Sequence, residues 1–307
     1  MGSIITLFSD YTFQTVAMGS ALLGLISGVL GSFAVLKKQS LLGDGVSHSA
    51  LPGVVMAFIL LGSKNTEVLL LGALVSGLLA TLLMVGVVRY TRIKFDSALA
   101  LVMSVFFGLG LVLLTYVQKI PNSNQAGLKR FIFGQASTLL QRDIHLMVIC
   151  GLVLLFLVVL FWKEFKLFTF DPDFAQSLGF SPKKLNLLLS FMIVLAIIIG
   201  LQTVGVILMS AMLITPAVAA RQWTDKLWVM VTLSALFGAS SGIMGTAASS
   251  LMPKLPTGPA IVVCVSAIVL VSVLFAPGRG ILYRIFRHRK NRLLYRLEGG
   301  EGHVPTD

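Results

Sequence analysis

The sequence predicts an all-α protein that crosses a membrane several times. Apolar residues make up 56% of the 307 positions and charged residues only 12%, and the mean hydropathy is +0.94. Soluble proteins carry about 25% charged residues. A chain this poor in polar side chains cannot cover itself against water, so most of its surface is expected to face lipid or other helices.

The apolar residues are grouped in runs that match the thickness of a bilayer. A helix needs about 20 apolar residues to cross the hydrocarbon core. The runs predict nine helical segments, at about 13–36, 41–62, 67–88, 97–118, 142–163, 185–202, 204–220, 226–249 and 258–277. The segment at 204–220 is the short or broken member of this set.

The stretch Leu185–Ala219 decides the number of crossings. As one helix it would be about 50 Å long, which exceeds a hydrocarbon core of about 30 Å. Glycine and proline interrupt membrane helices where function requires a break. We therefore predict a break near Gln202, with Gly205 and Pro216 in a broken helix that lines a pore.

The distribution of lysine and arginine supports this break. With nine crossings and the N-terminus outside, 18 of the 24 basic residues lie on the cytoplasmic side. With an unbroken helix, every segment after Gln202 would lie on the opposite side of the membrane. Only 10 basic residues would then be cytoplasmic, against the positive-inside rule. The sequence therefore predicts a multi-pass protein of the cytoplasmic membrane. Residues 1–277 form its transmembrane domain, and 278–307 form a basic, then polar, cytoplasmic tail.

Several function classes have no support in the sequence. It has no GxxxxGK[ST] phosphate loop, no HExxH and no GxSxG motif, so neither ATP hydrolysis nor hydrolase chemistry is expected of this chain. Cys150 and Cys264 lie singly in apolar runs and predict neither a disulfide nor a zinc finger. The net charge of +12 comes from loops and the tail, not from a basic face of a polar domain.

One ionisable pair lies inside a predicted span. Asp44 and His48 are four residues apart and share one helix face. Ionisable groups in membrane helices are costly and commonly mark a transport path. A carboxylate with an imidazole suits Mn²⁺, Fe²⁺ or Zn²⁺, and two copies of the chain would supply four ligands. In the alternative interpretation Asp44 caps its helix and His48 is a hydrogen-bonded interior residue. If the helix is continuous from Lys38, His48 lies about 15 Å further along, near the midplane.

The cytoplasmic loop at 171–182 predicts a short helix. Asp171 can cap it, Pro172 suits its first turn, and Gly179 can end it. Phe174 and Leu178 then form a small apolar face that requires lipid headgroups or another protein. A plain connecting loop is the alternative.

Four segments together resemble a known family. They are Leu41–Gly53 with LLGDGVSHSALPG, Asp171–Gly179 with DPDFAQSLG, Gln202–Arg221 with QTVGVILMSAMLITPAVAAR, and Pro256–Ala260 with PTGPA. In this order and at these topological positions, they resemble the permeases of bacterial manganese, zinc and iron ABC importers, which are related to the vitamin B12 and siderophore permeases. The resemblance covers Phe13–Pro277 and implies the fold of a type II importer.

The resemblance also implies partners and residue roles. It implies a second permease copy, identical or paralogous, two cytoplasmic ATPase subunits and an extracytoplasmic metal-binding protein. It places Asp44 and His48 on the path of the transported metal, with manganese favoured over zinc or iron and no permanently bound cofactor. It implies that the 171–182 loop forms the coupling helix of this chain, which is seated in the ATPase. Seven residues form its contact: Asp171, Pro172, Asp173, Phe174, Ala175, Leu178 and Gly179. A proton-coupled carrier and a receptor-like membrane protein are the competing functions.

Overall fold

The computed structural model describes residues 11–62, 65–119, 141–201, 203–252, 255–277, 279–285 and 287. The helices of this part, in chain order, are α1 (Tyr11–Leu36), α2 (Leu42–Leu61), α3 (Thr66–Tyr90), α4 (Phe95–Gln118), α5 (Gln141–Leu160), α6 (Trp162–Phe170), α7 (Pro172–Ser177), α8 (Pro182–Gly200), α9 (Val206–Trp223), α10 (Leu227–Leu251) and α11 (Thr257–Phe275). The predicted all-α fold is confirmed.

Eight of these helices are long and apolar enough to cross a bilayer: α1 to α5, α8, α10 and α11. Each agrees with a predicted span to within a few residues at either end. The ninth predicted segment is α9, whose 18 residues correspond to about 27 Å of helix. The chain is a multi-pass membrane protein.

The predicted interruption separates α8 from α9. Helix α8 ends at Gly200, and α9 begins at Val206. At its N-cap, Gly205 has φ +85° and ψ 168°, a conformation that is essentially confined to glycine. Gln202 lies outside the described residues, as does most of the predicted tail at 278–307. The conformation of Gly205 therefore excludes a continuous helix from α8 into α9.

Helix α9 lies in the interior of the bundle. It packs against α1, α2, α10 and α11. Of the α9 side chains that the structure describes, only Trp223 is exposed. The carbonyl of Leu213 lies so close to Gly31 of α1 that a Cβ there would overlap it. The helix that follows the break therefore has protein rather than lipid on nearly all sides.

Small residues make the close backbone contact between α1 and α10. Gly24 and Gly28 of α1 face Gly238 and Ser234 of α10, and a Cβ on Gly24 or Gly238 would lie less than 3.0 Å from the carbonyl of the other. The hydroxyl of Ser234 donates to the carbonyl of Gly28 at 2.7 Å. Apolar side chains gain little from leaving lipid, so close backbone approach of this kind is a main source of association in membranes.

Helices α2 and α3 meet in the same way. Gly53 of α2 lies against the backbone of Gly72 of α3. One turn away, the hydroxyl of Ser76 donates to the carbonyl of Ser49 at 2.6 Å. These contacts fix the rotation of α2, which carries Asp44 and His48, relative to its neighbour.

A partly buried lysine joins three helices at one end of the bundle. Lys37 directly follows α1, donates to the side-chain amide oxygen of Asn186 on α8, and lies 4.3 Å from the ring centre of Phe168 on α6. Burial lowers the pKa of Lys37 from 10.5 to about 8. The end of α1 is thereby connected to the helix that precedes α7.

Gly238→Ala is expected to destabilise the protein. The new methyl group would overlap the carbonyl of Gly24, and overpacking of this kind typically costs about 1–3 kcal/mol. Gly86→Ala on α3 is the matched control, because a Cβ there has no neighbour within 4 Å. Thermal unfolding in detergent, followed by size-exclusion chromatography, should give a lower midpoint for Gly238→Ala alone. Equal midpoints for the two variants would contradict the close approach.

The stability contributed around Lys37 should increase with pH. Because the pKa is lowered to about 8 in the folded chain, the unfolded state binds the proton more tightly between pH 8 and about 10.5. The folded state is therefore penalised below pH 8, and the penalty disappears as the pH rises through this window. Its full size is on the order of 3 kcal/mol, at about 1.4 kcal/mol per pKa unit.

Unfolding midpoints measured from pH 7 to 10 test this linkage. The wild type should gain stability relative to Lys37→Met as the pH increases. Lys183→Met, which removes an exposed lysine at the start of α8, should follow the wild type. Parallel curves for the wild type and Lys37→Met would show that Lys37 titrates normally.

Candidate functional site

The helix that carries Asp44 and His48 begins later than the sequence suggested. Residues 37–41 form turns, Lys38 has φ +57°, and α2 starts at Leu42 with Leu41 as its N-cap. The assumption of a helix continuous from Lys38 is therefore wrong. His48 lies about 9 Å from the first helical residue, about one third of the way along α2 and not at its midpoint.

Asp44 lies in the first turn of α2 and not at its cap. The N-cap residue is Leu41, which makes no side-chain cap hydrogen bond, so the interpretation of Asp44 as a capping residue is not borne out. A carboxylate in the first turn is still favoured by the positive end of the helix dipole.

The pair is close enough to act together. Nε2 of His48 lies 3.4 Å from Oδ1 of Asp44, and the two side chains retain 22% and 38% of their accessible surface. All other residues from Leu42 to Leu51 are buried. The first half of α2 thus presents only a carboxylate and an imidazole to the space outside this chain.

Aromatic packing holds the imidazole in place. The His48 ring meets the ring of Phe107 on α4 edge-on, with centroids 4.7 Å apart and an interplanar angle of 79°. Its Nδ1 is buried and has no hydrogen-bond partner among the described residues. The orientation of the ring is therefore set by Phe107 and Asp44, and Nε2 is the nitrogen that points to the carboxylate.

The donor pair matches the spacing of two ligands on one divalent ion. An ion about 2.1 Å from each atom at a tetrahedral angle would hold them about 3.4 Å apart. The described residues contain no group of three or more His, Cys, Asp or Glu side chains that could hold a metal. Within the described residues, an ion at this pair would therefore have two protein ligands, and any further ligands would have to come from elsewhere.

The wall beside the pair is formed by α9. A Cβ on Gly43, directly before Asp44, would lie 2.9 Å from a methyl of Leu213 and 3.4 Å from Cα of Ser210. Pro216, one turn further along α9, has no N–H to donate, which leaves the carbonyl of Met212 without its helical partner. The broken helix predicted to line a pore therefore packs directly against the turn that carries Asp44.

The predicted short helix in the 171–182 loop is present as α7. The side chain of Asp171 accepts a hydrogen bond from the backbone N–H of Phe174 at 2.9 Å, and Pro172 occupies the first turn. Gly179 has φ +87°. The N–H groups of Gly179 and Phe180 donate to the carbonyls of Gln176 and Ala175 at 3.0 and 3.1 Å, which is the Schellman pattern.

The surface of α7 is apolar and open. Ala175 is fully buried, whereas Phe174 and Leu178 are each more than half exposed. Asp173, the remaining acidic residue of the first turn, is exposed as well. Two large apolar side chains on one exposed turn form a surface that a partner could cover.

Two features of the site region were missed from the sequence. Residues 162–170 form a helix of their own, α6, with Phe165 and Phe168 buried, where the sequence was interpreted as the end of a span and a loop. The spacing of these two phenylalanines by three residues was the available signal. The packing of Phe107 on His48 joins separate helices, and no local pattern in the sequence indicates it.

Known proteins resemble this chain over most of its length. The model of the ABC 3 transport family matches residues 9–276. The zinc transport system membrane protein TroC of Treponema pallidum is 53% identical over 294 residues, covering 96% of this chain and 99% of that protein. The manganese transport system membrane protein MntC of Bacillus subtilis is 48% identical over 274 residues, covering 89% of this chain and 63% of that protein.

A solved structure agrees with the fold. PsaBC from Streptococcus pneumoniae, in complex with a Fab, superposes with a TM-score of 0.80 at 29% identity, and the match covers 93% of this chain and 98% of that one. The family resemblance stated from the four sequence segments is therefore confirmed, and the chain belongs to the ABC 3 transport family.

Proposed function

We propose that this chain is the permease subunit of an ATP-driven importer that carries a divalent transition metal, manganese, across the cytoplasmic membrane. One observation carries the proposal: in a member of the ABC 3 transport family, the only incompletely buried side chains in the first half of α2 are Asp44 and His48. They are the ligands of the transported ion. The metal is cargo here and not a permanently bound cofactor.

Manganese is supported by the chemistry of the pair and by a relative. Carboxylate oxygen and imidazole nitrogen suit Mn²⁺, Fe²⁺ and Zn²⁺, and the 48% identical relative is named for manganese. Zinc is the second candidate, because the 53% identical relative is named for zinc. The 3.4 Å spacing of the donor atoms also fits a tetrahedral ion.

The two-ligand set supports a permease that works in pairs. Two copies would bring two carboxylates and two imidazoles to one ion, whether the second copy is identical or a paralogue. This chain carries no phosphate-binding loop, so ATP is hydrolysed by separate cytoplasmic subunits. The exposed turn with Phe174 and Leu178 is the part of α7 that contacts them. An extracytoplasmic binding protein delivers the metal.

The proposed orientation has the N-terminus outside and the tail at 278–307 in the cytoplasm, with residues 1–277 as the transmembrane domain. The count of 18 basic residues inside supports it. Contacts between helix ends support the alternation of the crossings, whichever side is outside. Arg142 at the start of α5 pairs with Glu67 at the start of α3 at 2.6 Å on one side. On the other side, Lys37 after α1 meets Asn186 near the start of α8.

Transport then follows from alternating access. The metal enters from outside beside α9. The break at its N-cap Gly205 and the hydrogen bond missing at Pro216 allow that wall to move without breaking a regular helix. It is held at Asp44 and His48. Motion of α7 on the ATPase passes through α6 and Lys37 to the end of α1, next to the turn that leads into α2. Release follows when the cytoplasmic side opens.

The double variant Asp44→Ala/His48→Ala should lose metal uptake. Without both ligands the transported ion has no held position in the membrane. Loss of a residue that merely orients a metal ligand already costs about 10- to 100-fold, so accumulation of radioactive manganese should fall at least ~100-fold. The matched control is Asp96→Ala/His145→Ala, which removes an exposed acid and an exposed histidine near the ends of other spans. Normal uptake by the first variant would exclude the pair as the site.

The same uptake assay identifies the preferred metal and the energy source of transport. Competition by zinc, iron or manganese in excess identifies the preferred cargo. Uptake that persists after ATP depletion but stops when the proton gradient is abolished would replace the ABC importer with a proton-coupled carrier. Binding of metal without any accumulation would favour a receptor.

The double variant Phe174→Ser/Leu178→Ser should bind the ATPase subunit more weakly. Removing two exposed apolar side chains of α7 takes away the buried centre of the proposed contact, which typically weakens binding by 2 kcal/mol or more. Co-purification of the ATPase with the permease should therefore decrease at least ~30-fold. Gln176→Ser, an exposed substitution on the same helix, should not change it. Equal retention by the two variants would place the contact elsewhere.

A further inference from the structure

A cavity of about 310 Å³ lies between α6 and the start of α10. Helix α6 contributes Trp162, Lys166 and Phe170, and residues 225–228 form the opposite wall. Its volume is at the lower end of the range found for small-ligand sites, about 300–1,000 Å³. Neither the proposed metal path nor the proposed contact of α7 with an ATPase makes use of it.

The charge around the cavity is positive. Lys166 and Lys226 are exposed and form no ion pair among the described residues. The one carboxylate in the wall, Asp225, is already shared by two arginines: Arg221 at 3.5 Å and Arg279, which also donates to the backbone carbonyl of Arg221. Among the lining residues, Lys166 and Lys226 are thus two cations whose charge no lining carboxylate balances, which leaves positive charge for an anion.

The cavity lies at the level where the spans end. Helix α5 ends at Leu160, α9 ends at Trp223 and α10 begins at Leu227. All three tryptophans of the chain, Trp162, Trp223 and Trp228, lie at this level. Tryptophan is enriched where a membrane meets water, because its ring is amphipathic. The cavity is therefore in the headgroup layer and not in the bulk cytoplasm.

The lining combines cations with exposed apolar rings. Trp228 is 62% exposed and Phe170 54% exposed, next to two lysines without ion-pair partners. A phosphate placed between the lysines would have the glycerol and upper acyl carbons of the same molecule against these rings. A free phosphate or an acidic protein loop would satisfy the lysines and leave the rings uncovered.

We propose that this cavity binds the phosphate-containing headgroup of an anionic phospholipid from the inner leaflet. The assignment to the inner leaflet rests on the proposed orientation, whereas binding itself does not depend on metal transport. The negative charge of that leaflet attracts basic segments at its surface. Because α6 leads through Asp171 into α7, a lipid in the cavity would also hold the segment in front of α7.

Lipid retention by the purified permease tests the proposal. The chain is placed in nanodiscs of phosphatidylcholine with a minor share of phosphatidylglycerol, which is anionic like the lipids that give the inner leaflet its surface potential. Native mass spectrometry then counts retained lipids. The variant Lys166→Gln/Lys226→Gln should bind phosphatidylglycerol ~10- to 30-fold more weakly, at about a factor of five per lysine.

Two matched variants control for total charge. Lys163→Gln/Lys183→Gln removes the same charge from exposed lysines at the same end of the bundle and should retain phosphatidylglycerol like the wild type. Lys166→Arg/Lys226→Arg should also retain it. If the glutamine pair does not fold, Lys226→Gln alone should weaken retention about fivefold. Equal loss from the cavity and control variants, or no loss from either, would overturn the proposal.

Two further arms identify the occupant. Millimolar inorganic phosphate should not displace the lipid, and displacement would point to a site for free phosphate. The glutamine pair should still co-purify with the ATPase. Loss of the ATPase with unchanged lipid retention would make the cavity a protein contact and overturn the lipid assignment. Because lipid retention is measured on the permease without metal, its outcome does not depend on the proposed transport function.

Discussion

Close backbone contact between helices is the interaction on which the rest of this structure depends. In lipid, contact between apolar side chains contributes little to helix association. Helices therefore associate where small residues let their backbones approach and where serine hydroxyls donate hydrogen bonds to the neighbouring helix. Gly24 and Gly238 provide this for α1 and α10, and Gly53 and Gly72 provide it for α2 and α3. Each pair fixes the rotation of a helix as well as its distance. That rotation determines which side chains of α2 remain uncovered.

The side chains that remain uncovered in the first half of α2 are the ones proposed to bind the metal. Packing on α3, α4 and α9 covers every residue from Leu42 to Leu51 apart from Asp44 and His48. The imidazole is held against Phe107 rather than within a network of protein hydrogen bonds. An ion at the pair would therefore meet donors held largely by apolar packing. It would replace only the contact of 3.4 Å between Nε2 of His48 and Oδ1 of Asp44, which is longer than a strong hydrogen bond.

The sequence predicted what depends on local rules. Span lengths follow from the thickness of the bilayer, and the caps of α7 follow from Asp171, Pro172 and Gly179, each of which acts on residues within four positions. The break before Gly205 followed from length and charge together. What failed depends on contacts between distant segments. The turn at 37–41 that starts α2 at Leu42 and the packing of Phe107 on His48 are set by neighbours that no periodicity reveals. The separate helix α6 left one local signal, the spacing of Phe165 and Phe168 by three residues.

The placement of all three tryptophans at one end of the bundle has a spectroscopic consequence. Trp162, Trp223 and Trp228 belong to α6, α9 and α10, so the intrinsic emission of this chain arises from a single layer of the molecule. Changes in emission maximum or quenching will report rearrangement at the ends of these helices, whereas events near the break at Gly205 will leave the signal nearly unchanged. Tryptophan fluorescence of the unlabelled protein would therefore report movement at the end of the bundle that carries the tryptophans and would be nearly insensitive to movement at the end near Gly205.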